Sequence, residues 1–116
     1  MIDVTQLRIF VCTTPTNMTA SFDTLMGRAR EVFDQDPTSG HLFLFFNRRH
    51  DRVKVLFWDH GGFCIYYKRL EVGTFPVLTT TSDPEGIEIE YWQLVQLLDG
   101  IDLNTGRRRR RYRRSG

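Results

Sequence analysis

At 116 residues, with 41% apolar and 13% aromatic side chains, the chain has material for one hydrophobic core and too little length for two, which excludes a wholly disordered protein. Its formal net charge of +2 conceals a split: residues 1–106 hold all 14 acidic groups against nine basic ones, a net of −5, whereas the last ten residues hold seven arginines. No apolar run nears the roughly 20 residues that cross a bilayer, and the opening Met1-Ile2-Asp3 lacks the pattern of a secretion signal, so a soluble, unexported, cytoplasmic protein without membrane contact is expected.

Leu7 to Thr13 is rich in Ile, Phe and Val, the composition of a strand covered on both faces. After a turn at Thr14-Pro15-Thr16, apolar positions at Phe22, Leu25, Met26, Ala29, Val32 and Phe33 recur in threes and fours. That spacing predicts an amphipathic helix capped near Asn17 and ended by Asp36-Pro37-Thr38-Ser39-Gly40. Three short apolar runs follow, His41 to Asn47, Arg52 to Trp58 and Phe63 to Arg69, with polar turns between them, and together they read as an antiparallel meander. Thr74 to Leu78 is a shorter extended piece, Thr79 to Gly86 a polar loop, and Ile87 with Ile89 a brief strand. Tyr91, Leu94, Val95 and Leu98 predict a short amphipathic helix closed by Gly100. Cys12 and Cys64 lie inside apolar runs, so two reduced, buried thiols are expected.

Tight loops in the meander set Asn47 opposite Arg52 and Trp58 opposite Phe63, and the remaining pairs follow by counting. One face then carries Leu42, Leu44, Phe46, Val53, Val55, Phe57, Cys64, Tyr66 and Lys68 and is the expected core. The other changes along its length: Phe43, Phe45, Trp58 and Phe63 are apolar and need a cover, for which the C-terminal helix is a candidate, whereas Arg48, Arg49, Arg52, Lys54 and Arg69 gather beside Tyr67.

Catalytic patterns are absent from the sequence: there is no nucleophile elbow, HExxH, phosphate-binding glycine loop or carboxylate cluster. The pairs His50-Asp51 and Asp59-His60 flank one strand, which at about 3.3 Å per residue puts them roughly 25 Å apart, too far to share a metal ion. They read as turn residues. No metal or cofactor is expected. The basic end of the meander offers phosphate neutralisation and, for unpaired bases, stacking. Gly40 to Phe45 is loosely similar to a strand motif of RNA-recognition sheets, but the succession of strands after the first helix does not fit that fold. The terminal arginines, Arg107, Arg108, Arg109, Arg110, Arg111, Arg113 and Arg114, form a self-repelling arm that seeks a polyanion.

The assembled motifs resemble the TnpB accessory proteins, also called Orf2-like, of insertion sequence 66 elements. Asp36-Pro37-Thr38-Ser39-Gly40-His41-Leu42-Phe43 is similar to the family's DP-SGH-F segment, and Arg48, Asp51-Arg52, Lys54, Leu56 and Trp58-Asp59 to its R-DR-K-L-WD run. Gly62-Phe63, Tyr67-Lys68-Arg69-Leu70-Glu71, Gly73 with Phe75, and Leu97-Leu98-Asp99-Gly100-Ile101-Asp102 continue the series. Where relatives usually read Asp-Met-Arg-Lys-Gly, this chain has Asn17-Met18-Thr19-Ala20-Ser21. The resemblance implies a non-catalytic bacterial accessory factor in DNA transposition, encoded beside a DDE transposase that performs the cutting and joining.

The expectation is therefore one α+β domain over residues 1–102, an antiparallel sheet of four to six strands packed against one main helix with a short C-terminal helix, then a disordered arginine-rich tail over 103–116. Arg48, Arg49, Arg52, Lys54 and Arg69 would hold DNA phosphates, Tyr67 would pack beside sugar or base, and the arm would add sequence-independent attraction. The rival expectation is a module that docks the transposase or another element-encoded subunit through Phe43, Phe45, Trp58 and Phe63 without touching DNA.

Overall fold

The computed structural model describes residues 7–78 and 85–99. Five strands form one sheet: β1 (Ile9–Cys12), β2 (Leu42–Phe46), β3 (Arg52–Asp59), β4 (Gly62–Arg69) and β5 (Gly86–Ile89), in spatial order β4-β3-β2-β1-β5. Helix α1 (Phe22–Phe33) and a single turn of 3₁₀ helix (Pro37–Ser39) connect β1 to β2, and α2 (Tyr91–Asp99) follows β5. The class is α+β, as the sequence predicts. The meander is also present in the expected register, with Phe46 opposite Val53, Arg52 opposite Arg69 and Trp58 opposite Phe63. At the β3–β4 turn His60 and Gly61 both take positive φ, 44° and 84°, the twist that a two-residue hairpin turn requires.

The sheet is not antiparallel throughout. β1 runs parallel to β2, with Ile9 opposite Leu42, and antiparallel to β5, with Ile9 opposite Ile89. A helix lying between two neighbouring strands brings the chain back to start the second strand at the same end, which makes that pair parallel. All four residues of β1 are buried because it lies inside the sheet with a layer over each face.

The two helices cover the sheet in the reverse of the expected arrangement. Leu25 and Ala29 of α1 pack on Phe10, Cys12, Phe43, Phe45 and Leu56, the face for which the C-terminal helix was the expected cover. Phe33 anchors that layer, its ring 5.3 Å from Phe10 and 5.7 Å from Phe43. Leu94 and Leu97 of α2, with Phe75, instead close the face of Ile9, Val11, Leu44, Phe46, Val53, Val55 and Ile89. Both faces of β1 and β2 are apolar, so a period of two separates them without saying which helix each receives. The stripe of α2 is shifted as well: Leu97 is buried while Tyr91, Trp92 and Val95 stand exposed. Asn17 caps a turn rather than α1, accepting from the Thr19 N–H at 2.9 Å, and Ser21 occupies the N-cap position. Gly100, the expected boundary near residue 102 and the arginine tail lie outside the described residues.

Candidate nucleic-acid interface

The β2–β3 turn is built on Asn47. Its side-chain Oδ1 accepts from the N–H groups of Asp51 (3.1 Å) and Arg52 (3.0 Å), its Nδ2 donates to the Asp51 carboxylate, and its backbone oxygen accepts from His50 N–H at 3.1 Å. Asn and Asp favour such turns because their short side chains reproduce backbone hydrogen bonds. His50 completes the reversal at φ 57° while its ring stacks on Phe46, centroids 5.2 Å apart. The backbone oxygens of His50 and Asp51 accept from Phe75 and Leu70 N–H groups, so the turn is also tied to the segment after β4. Arg48 and Arg49 sit at the apex of this braced turn, exposed, and no side-chain hydrogen bond holds either of them among the described residues.

Beside the apex lies an open cleft of about 600 Å³ whose walls are Pro15 to Met18 on one side and Asn47, Arg48, Arg49, Asp51 and Arg52 on the other. A second hollow of about 350 Å³, lined by Arg52, Tyr67, Arg69 and Glu71, shares Arg52 with the first. Arg52 donates to the Tyr67 hydroxyl at 3.2 Å, a bond that favours its charged form. Arg69 donates from Nε (3.1 Å) and Nη2 (3.0 Å) to one Glu71 oxygen. Arg48, Arg49, Arg52, Arg69 and Tyr67 thus share one end of the sheet, as expected from the register.

Lys54 is different. Its Nζ donates to the backbone oxygens of Met18 (2.8 Å) and Ala20 (2.7 Å), lies 4.8 Å from the centre of the Tyr67 ring, and leaves only 8% of the residue exposed. It is a clamp between the sheet and the 13–20 loop, its ammonium engaged by two carbonyls and the Tyr67 ring. The expected apolar docking patch is covered in part: Phe43 and Phe45 are fully buried beneath α1, while Trp58 and Phe63 are half-buried and pack edge to face at 5.0 Å near the opposite turn. Sequence reasoning missed Asn47 as the organiser of the apex and Glu71 as a partner of Arg69. An Asn before a polar run that ends in Asp was the available signal for the first.

Arg28 donates to Cys12 Sγ at 3.1 Å and to Thr14 Oγ1 at 2.9 Å, so the buried thiol packs against a guanidinium. Both cysteines are free. Among the described residues no three or more His, Cys, Asp or Glu side chains gather where they could hold a metal ion, and no helix is long and apolar enough to cross a membrane.

A family model described as IS66 Orf2 like protein matches residues 7–108. The chain belongs to the IS66 Orf2-like family. That family comprises accessory proteins of insertion-sequence transposition. Two curated relatives from Sinorhizobium fredii (strain NBRC 101917 / NGR234) are similar and are named as uncharacterized proteins. The protein y4hO is 35% identical over 96 residues, 83% of this chain and 82% of its own. The protein y4jC is 33% identical over 69 residues, 60% of this chain and 59% of its own. No solved structure matches the IS66 Orf2-like chain.

Proposed function

We propose that this IS66 Orf2-like protein is a non-catalytic transposition factor that binds DNA through the cationic end of its sheet, with the terminal arginine arm adding attraction that is independent of sequence. The observation that carries this reading is the apex of the β2–β3 turn. Two arginines project from a rigidly braced turn beside a cleft, and neither is engaged by a side chain among the described residues. Cations held ready and unpaired are suited to phosphate, because binding then requires no internal ion pair to break. Arg52 and Arg69 extend the cationic surface along the same edge.

The test is a mobility-shift titration on duplex DNA from the element ends across a salt series. Replacing Arg48 and Arg49 together with alanine is expected to weaken binding and to flatten the slope of log affinity against log salt by about 2. Removing residues 107–116 is expected to flatten it by about 6. Melting of the double variant is expected to match the parent, since neither side chain supports the fold. Binding indifferent to salt and to both changes would overturn the proposal.

A second reading, contact with the transposase, is favoured by one observation: Tyr91, Trp92 and Val95 stand exposed on α2. Co-purification of the element's transposase that is lost on Trp92→Ala and kept in the double arginine variant would favour it over DNA binding.

A further inference from the structure

We infer that the cationic end of the sheet takes an unpaired DNA strand in preference to a duplex, with one base stacked on Tyr67; this rests on the DNA-binding reading above and narrows it. Tyr67 stands on β4, an edge strand of the sheet, and is 47% exposed. Its ring is nevertheless held in place. Arg52 donates to the hydroxyl at 3.2 Å, and the Lys54 ammonium, itself pinned by the carbonyls of Met18 and Ala20, lies 4.8 Å from the ring centroid. A ring fixed at its edge and on one face offers its remaining surface in a settled orientation, so a base that stacks there loses less freedom in ordering it. Phosphates on either side of that base have cations to meet: Arg48, Arg49 and Arg52 around the first hollow, with Arg52 also bordering the second.

Charge decides between strand and duplex. The two hollows contain those four arginines against two carboxylates, Asp51 and Glu71, an excess of only two positive charges. Glu71 already occupies Arg69, and Asp51 accepts from Asn47. Duplex DNA presents one phosphate per roughly 1.7 Å of axis and is bound largely by charge, so this end of the sheet can hold it only through its few arginines. Aromatic stacking supplies what charge does not, and it requires a base face that pairing has left open. Along a duplex those faces are buried in the stack, and Tyr67 has nothing to hold.

Fluorescence anisotropy on the full chain tests this with three labelled probes of about 16 nucleotides: a mixed-sequence DNA strand, its duplex, and the same sequence as RNA. The DNA strand is expected to bind more tightly than the duplex at equal salt. Tyr67→Ala should weaken strand binding about tenfold and duplex binding far less, while Tyr67→Phe, which keeps the ring, recovers most of the strand affinity. Should the alanine variant fail to fold, Tyr67→Val, a strand-favouring residue without a ring, makes the same comparison. Equal losses on strand and duplex, or a phenylalanine variant as weak as alanine, overturn the stacking while leaving DNA binding by the arginines intact. Tighter binding of the RNA overturns the assignment to DNA. If no probe binds, both this inference and the reading beneath it fall.

Discussion

Lys54 takes a full positive charge to a position where little of the residue meets water. Losing hydration there is costly unless the ammonium finds strong acceptors, and the Met18 and Ala20 carbonyls provide two. Replacing it with methionine keeps the length and apolar stem but strands both carbonyls, so Lys54→Met is expected to lower the unfolding free energy by about 3 kcal/mol, read from the midpoint of a urea titration. Stability unchanged within error would mean that the clamp contributes nothing. From the sequence this residue is indistinguishable from Arg52, two positions earlier on the same side of the same strand. Alternation reports a side of the sheet, and it is silent about a loop laid across that side. The register, by contrast, was legible, because short polar turns leave few ways to pair Asn47 with Arg52 or Trp58 with Phe63.

Between elements, β5 approaches α1 closely at Gly86. A Cβ built on Gly86 would come within 2.6 Å of Phe33 Cε1 and 3.0 Å of Val32 Cγ1. Phe33 has little room to retreat, since Phe10, Phe43 and Phe45 surround its ring. Gly86→Ala is therefore expected to destabilise the fold by about 1–3 kcal/mol, with a lowered melting temperature in calorimetry. In the sequence Gly86 reads as the end of a polar loop, since nothing local reveals the distant helix residues Val32 and Phe33. The parallel β1–β2 pair was hidden for a related reason: the meander sets a habit of antiparallel neighbours that the intervening helix breaks. The 17–21 segment is attached to Lys54 through the backbone oxygens of Met18 and Ala20, so a change of side chain there leaves the attachment in place.

At the scale of the whole molecule, stability should depend on pH through His41. Its Nδ1 accepts the Arg8 N–H at 3.0 Å, and Arg8 pairs with Glu88 at 2.7 Å, linking the starts of β1 and β2 to β5. Burial, and secondly the Arg8 charge, hold the His41 imidazole below its ordinary value, while Glu88 opposes them in part. The unfolded chain therefore binds a proton that the folded chain resists. The stability this contributes is complete above about pH 6.5 and is lost as the solution is acidified through the folded value. The melting temperature is expected to fall between about pH 7.5 and about pH 5.5, and His41→Gln should make that stretch flatter. Glu88 and Asp36, held below the usual carboxylate range by Arg8 and by the Thr38 N–H respectively, add their losses only in more acidic solution.

The central position of β1 has a consequence for synthesis. The earliest-made of the described strands becomes an interior strand, flanked on one side by β2 and on the other by β5, the latest-made of them. Until Gly86–Ile89 has emerged, Ile9–Cys12 is a greasy, half-paired margin, open to any passing extended peptide. Synthesis interrupted before Gly86 thus yields a sticky fragment rather than a smaller working protein.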